Sequence, residues 1–228
     1  IWEHYLFTQA KAFLTEKYHL IKGAAQFFTE FLYQDPNTGY LISSPSNSPE
    51  IGGLVAGPTM DHQIIRALFE ICIEASRILD RDRVFAEELK AMIPKIAPNQ
   101  IGQYGQLQEW LEDKDDPNIK HRHVSHLWAV YPGKEINPVE TPALMKAAKQ
   151  SLDFRGDGGT GWSLAWKINY WARFLAGNRS YKMIHRLLSP ADHPDNKSGI
   201  PMPPSGGRPD LTDENLQAIL SYLRISSQ

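Results

Sequence analysis

The sequence predicts a mainly α-helical protein, and three observations carry that prediction. Apolar residues recur at spacings of three and four through several long segments. Those segments are separated by clusters of Gly, Pro and Asn, the residues that stop helices and make turns. No run of residues alternates apolar and polar in the manner of a half-buried strand. The remaining question is which elements these signals mark, and what the loops between them carry.

The opening residues, IWEHYLF, read as helix and are neither a start methionine nor a signal peptide. Residues 10–34 place Phe13, Leu14, Ile21, Ala24, Ala25, Phe28, Phe31 and Leu32 along one stripe, so a helix is expected there. Asp35-Pro36-Asn37-Thr38-Gly39 ends it with turn chemistry. A long loop follows between Ser43 and Thr59, containing three Pro. The clearest helix spans 60–79, with Ile64, Ile65, Leu68, Phe69, Cys72, Ala75 and Leu79 on one face and Thr59 as its expected N-cap. A shorter helix is expected over 82–92, before Pro94. Another starts after Thr141, with Pro142 in the first turn where proline is tolerated. Residues 160–176 form a Trp-rich helix that Gly177 is expected to close. The composition then shifts: residues 190–210 hold six Pro and three Gly, a linker pattern. Leu211-Thr212-Asp213-Glu214-Asn215-Leu216 opens a last helix, with Thr212 as cap.

Composition sets the outer limits. The chain has 228 residues, 42% hydrophobic and 22% charged, with six Trp, which suits a folded core rather than wholesale disorder. Its formal charge of −2 provides no basic field for nucleic acid or anionic lipid. The single cysteine, Cys72, excludes an internal disulfide and a four-cysteine zinc site. No apolar run approaches the length of a membrane span.

Four stretches concentrate chemistry-bearing residues. In SSPSNSPE, prolines precede Glu50 on a loop with little regular structure, a place to hold a catalytic acid or simply a solvated carboxylate. In Gln106-Leu107-Gln108-Glu109-Trp110, a Trp beside amide and carboxylate groups suits sugar binding; a buried Trp followed by a solvated acidic run is the competing reading. His121-Arg122-His123-Val124-Ser125-His126 could suggest zinc, yet the HExxH spacing is missing, and a hydrogen-bonding patch for a polar substrate fits better. In Arg155-Gly156-Asp157-Gly158-Gly159-Thr160, glycines allow close backbone approach to a ligand. There Asp157 is either a functional carboxylate or a turn residue, and the absence of a GK[ST] ending argues against phosphate binding. Two loop carboxylates on a helical scaffold, Glu50 and Asp157, are the apparatus of glycoside hydrolysis.

In this order, SSPSNSPE, GPTMDHQIIRALF, IGQYGQLQEW, HRHVSHLWAVYPG and RGDGGTGWSLAWKINYWARFLAG resemble the catalytic domain of glycoside hydrolase family 95, the α-L-fucosidase family. The resemblance covers about residues 1–188. It implies an (α/α)6 barrel, here incomplete, and an inverting exo-acting hydrolase that releases fucose or a related L-sugar from oligosaccharides or glycans. By motif, Glu50 matches the general acid and Asp157 the carboxylate in the base role. Arg122 and His123 match residues lining the sugar pocket, and Trp110 and Glu109 join them as expected substrate-binding residues. No metal and no other cofactor is implied. The acid role requires a protonated Glu50 and hence burial, and the pair is expected to face one cavity with carboxyls roughly 6.5–9.5 Å apart, or somewhat wider if asparagines relay the proton.

The family's asparagine pair, which positions the attacking water, has no counterpart among the 49 residues before Glu50. The expectation is therefore a partial barrel, inactive alone, of low stability or associating through exposed faces. A non-catalytic carbohydrate-binding remnant of the domain is the alternative, and a His-based metallohydrolase a third reading. Family analogy implies a secreted or periplasmic protein, with no signal peptide in this chain. Residues 189–228 are expected to be a linker and an unrelated tail helix, similar to the end of c-type cytochromes but lacking a haem motif. Met202 lies in that segment.

Overall fold

The computed structural model describes residues 1–189 and, in the tail, Thr212, Glu214, Asn215, Gln217 and Ala218. Seven α-helices are found among residues 1–189: α1 (Trp2–Thr8), α2 (Lys11–Phe31), α3 (Thr59–Leu79), α4 (Arg83–Met92), α5 (Pro142–Arg155), α6 (Gly161–Arg173) and α7 (Gly177–Leu188). The fold is mainly helical, as the periodicity predicts, and fits part of a helical toroid. Among the described residues no helix is long and apolar enough to cross a membrane.

The chain divides into two units, Ile1–Arg155 and Gly156–Gln228. In the first, α2 packs on α3 and α3 on α4. The core draws on the predicted stripes, Leu14, Ile21 and Ala25 of α2 meeting Ile65, Phe69, Cys72 and Ala75 of α3, and adds Tyr18 of α2, Leu89 of α4 and Ile96. Full burial of such side chains contributes about 1.5–3 kcal/mol each for the larger ones, which is what holds three helices of ordinary propensity together. In the second unit, α6 and α7 pack on each other around Leu164, Tyr170, Trp171 and Met183.

Several elements depart from expectation. The loop between Ser43 and Thr59 contains a hairpin, β3 (Ser46–Ser48) paired antiparallel with β4 (Ile51–Val55), and Glu50 lies in its turn. A second small ribbon, β1 (Tyr33–Gln34) with β2 (Leu41–Ile42), brackets the Asp35–Gly39 turn. Neither alternates cleanly, because strands this short are fixed by their turns rather than by a buried face. Thr59 is the first residue of α3, not its cap: its hydroxyl donates to the Gln108 carbonyl (2.7 Å) and its N–H to that of Glu109 (3.1 Å). The hydroxyl is thus committed to a tertiary bond and cannot serve the helix end. Gly177 opens α7 instead of closing α6; the left-handed position between the two helices is held by Leu175, at φ 58°. Helix α7 itself is absent from the sequence reading.

In the tail, Thr212 Oγ1 accepts from the Asn215 N–H (3.2 Å), the cap expected of Thr212, and Asn215 Oδ1 accepts in return from the Thr212 N–H (3.0 Å), a bond the sequence reading did not include. The Pro/Gly-rich linker 190–210, Met202 and the likeness to a cytochrome end lie outside the described residues.

Candidate functional site

The first unit brings three of the six expected site residues into contact. The β3–β4 hairpin presents Glu50 at its turn, where Arg122 Nη2 donates to Glu50 Oε2 and His123 Nε2 lies 3.3 Å from the same oxygen. Arg122 and His123 lie in the irregular segment after the acidic run, just before a single 3₁₀ turn, Ser125–Leu127. Ser125 Oγ donates to the Pro49 carbonyl (2.9 Å), fastening that segment to the residue before Glu50. His121 stacks on His123 with ring centroids 5.3 Å apart, and burial together with the nearby Arg155, His123 and Arg122 lowers its pKa, so it favours the neutral form.

One expectation for Glu50 is corrected here. Burial was to keep it protonated, yet its side chain is 59% exposed. The hairpin is stabilised by its turn and by Ser48 and Ser125, so its tip carries the carboxyl outward against a guanidinium instead of into an apolar pocket.

Glu109 and Trp110 lie beneath the hairpin surface. Glu109 is fully buried, and both carboxylate oxygens are occupied: Ser48 Oγ donates to Oε1 (2.6 Å), and Arg155 Nη2 donates to Oε2. Trp110 is 6% exposed, and its indole covers Gly52 so closely that a Cβ there would sit 2.9 Å from Nε1. Gly52 therefore has to be glycine, for its φ of +86° and for the ring above it. A direct part in sugar contact, expected for both residues, conflicts with this placement: neither presents polar atoms or a ring face to solvent. The local sequence, QLQEW, cannot distinguish a sugar platform from a buried wedge.

Two further buried groups shape the electrostatics. His126 is buried and its imidazole pKa is pushed down to about 3, chiefly by burial and then by Arg155, with Asp115 opposing. Glu109 Oε2 stands 3.5 Å from its Nδ1, but that carboxylate is already matched by Arg155, so the loss of hydration wins. His62 on α3 is likewise pushed down to about 3 by burial and by Arg66.

Asp157 belongs to the second unit, in the glycine-rich stretch that precedes α6. Trp171 Nε1 donates to Oδ1 (3.1 Å), Arg179 Nε donates to Oδ2 (2.8 Å), and Arg186 Nη1 donates to the Asp157 carbonyl (3.1 Å). The Arg179 guanidinium lies 3.6 Å from the Trp171 ring centroid, so the same cation stacks on the indole and pairs with the acid. Lys167, buried in α6, donates to the carbonyls of Gly156 (2.8 Å) and Gly158 (2.5 Å), fixing the loop on both sides of Asp157. Asp157 is therefore not a helix cap; Thr160 stands at that position.

Sequence reasoning missed Arg155, Lys167, Trp171 and Arg179 as individual contributors, although all but Arg179 lie within the quoted motif. The ion-pair partner of Asp157, Arg179, lies 22 residues further on, beyond the quoted motif, so no local window contains the pair. Among the described residues, no group of three or more His, Cys, Asp or Glu is arranged to hold a metal ion. A cavity of about 500 Å³ lined by Trp2, Glu70, Ile71, Trp128 and Pro132 contains none of the six expected residues.

Comparison with known proteins agrees with the motifs. The model of the "Glycosyl hydrolase family 95 catalytic domain" matches residues 1–205. "Alpha-L-fucosidase 2" of Arabidopsis thaliana is 36% identical over 203 residues, covering 84% of this chain and 24% of its own length. "Probable alpha-fucosidase A" of Aspergillus niger is 33% identical over 199 residues, covering 81% of this chain and 25% of its own, and its namesake in Aspergillus oryzae is 31% identical over 206 residues, covering 82% and 28%. The chain thus spans about a quarter of the length of these curated relatives. On the family match, which takes in most of its residues, this chain belongs to the glycosyl hydrolase family 95 catalytic domain family.

Proposed function

We propose that the chain is part of an exo-acting α-L-fucosidase-like glycoside hydrolase that removes fucose, or a related L-sugar, from oligosaccharides or glycans by inversion. The observation that carries this reading is the cluster at the hairpin turn: an outward carboxyl, Glu50, in contact with Arg122 and beside His123. Glu50 is the general acid, delivering its proton to the leaving glycosidic oxygen. Arg122 and His123 hold sugar hydroxyls with donors fixed close to that acid. Asp157 acts as base toward water, its carboxylate oriented by Trp171 and Arg179. The exposure of Glu50 assigns its desolvation to the bound state, when the glycan covers the hairpin turn.

Because both carboxyl groups work by proton transfer, the chemistry calls on no metal or organic cofactor. A secreted or periplasmic location fits a glycan substrate. Exposed apolar side chains such as Phe7, Phe27 and Val84 are the positions through which the chain would associate.

The test is fucose release from a 2′-fucosylated oligosaccharide by a protein carrying this segment, with calorimetry of L-fucose on the chain itself. Glu50→Gln should lower release by about 10²–10⁴-fold while leaving fucose binding in place. Release within tenfold of the parent removes Glu50 from the acid role. Fucose binding by the chain without turnover in any longer form would favour a carbohydrate-binding role.

A further inference from the structure

Glu109 and Arg155 form an ion pair that is almost fully withdrawn from water, with side chains 0% and 3% exposed. Burying two charges forfeits their hydration before their attraction is counted, so such a pair is weak evidence for stability and better evidence for a required geometry. What the pair touches indicates which geometry. Glu109 Oε1 accepts from Ser48, the last residue of β3 and two residues before Glu50. Arg155 Nη1 donates to the His123 carbonyl at 2.9 Å. The Glu109 carbonyl accepts from Thr59 N–H, fixing the pair to the start of α3, whose body is core. The two segments that meet at Glu50 are therefore both fastened, from below, to one buried pair, and neither Glu109 nor Arg155 touches Glu50.

We propose that Glu109 and Arg155 are the positioning residues of the candidate site, holding Glu50 on one side and Arg122 with His123 on the other in register for a sugar. This rests on the fucosidase reading for its ligand, though not for its mechanics. Glu109 acts through Ser48 on the hairpin. Arg155 acts through the His123 carbonyl on the Arg122–His123 segment. Loss of the carboxylate should loosen both.

The experiment combines amide hydrogen exchange and L-fucose calorimetry on the whole chain. In Glu109→Gln, protection should fall about tenfold in residues 46–52 and 121–125, while the α2–α3 core around Leu14, Ile21, Ile65 and Phe69 exchanges as in the parent. Ser48→Ala, which deletes one hydrogen bond and keeps the ion pair, should loosen residues 46–52 only. It serves if Glu109→Gln fails to fold. Fucose affinity should fall about tenfold in Glu109→Gln, and by a smaller factor when Glu109→Gln is added to Arg122→Ala, since one of the two segments the pair holds then has no guanidinium left to position.

Unchanged exchange in both segments overturns the proposal, as does loosening that spreads equally to the α2–α3 core, which marks a merely structural pair. Additive losses of fucose affinity overturn it too. If the parent binds no fucose while the local exchange response appears, the fucosidase reading fails and the positioning pair stands.

Discussion

The two buried histidines make folding stability sensitive to mild acid, and the size of the effect can be worked out. His62 and His126 are 2% and 1% exposed, and each has a folded-state pKa of about 3 against an ordinary value of 6.5. The groups facing His62 are Arg66 and the backbone of Gly57; those facing His126 are Arg155, Asp115 and Glu109. Between pH 3 and 6.5 the unfolded chain binds one more proton at each site than the folded chain. Stability therefore rises with pH through that window, is complete above about 6.5, and is lost as the pH falls. At pH 5 each histidine costs about 2 kcal/mol relative to neutral pH, and the two together about 4 kcal/mol. That is a large share of the roughly 5–15 kcal/mol that holds a domain folded.

Glu70 and Asp115 have the opposite sign. Burial raises both carboxyls, so protonation in acid favours the folded state and offsets part of the loss. The informative quantity is thus a difference. Urea unfolding followed by circular dichroism at pH 7, 6 and 5 should show that His62→Gln/His126→Asn, though less stable at neutral pH, loses about 4 kcal/mol less than the parent on going to pH 5. Parallel pH dependence in parent and double variant would refute the reasoning, because it would mean that both imidazoles take up a proton in the folded state as readily as in the unfolded chain.

Two other substitutions probe the scaffold of the site. Gly52→Ala places a methyl 2.9 Å from Trp110 Nε1 at a φ of +86° and should destabilise by about 2 kcal/mol, read as a lower urea midpoint; a change under about 0.5 kcal/mol would mean the indole does not press on the hairpin. Arg66→Met removes the fork that grips Glu135 with Nε and Nη2 and leaves the Ala97 carbonyl without the Nη1 donor, for an expected loss of about 2 kcal/mol, with Glu135 half-exposed and free to hydrate. Arg66→Lys should recover only part of that loss, since a single ammonium cannot span both partners; full recovery in the same urea assay would reduce the fork to a point charge.

The helices were legible wherever burial imposes a period on the sequence. Helices α2 and α3 each contribute a face to one core, so their apolar residues fall three and four apart, and α5 announces itself through Pro142. The β3–β4 hairpin was not legible, because Ser46–Ser48 and Ile51–Val55 pair without a buried face, and Gly52 and Gly53 read as plain loop. Gly177 misled for a related reason. A glycine after a helix is the usual left-handed stop, but here Leu175 takes that conformation, and the chain turns two residues early to begin α7.

The candidate site divides along the same physical line. Residue type and motif order bring Glu50, Arg122 and His123 forward as candidates, and the structure holds these three within contact of one another. The same reasoning placed Glu109 and Trp110 at the sugar, because acid and aromatic side chains look identical in sequence whether they meet solvent or a neighbouring strand. What separates them is the presence of buried counterparts many residues away: Ser48 lies 61 positions before Glu109 and Arg155 lies 46 after it. A fully buried carboxylate requires such partners, and no local window contains them. Polar residues clustered in sequence therefore mark candidates for a site, while long-range pairing of charge decides which of them are buried, as Glu109 is, and which are turned outward, as Glu50 is.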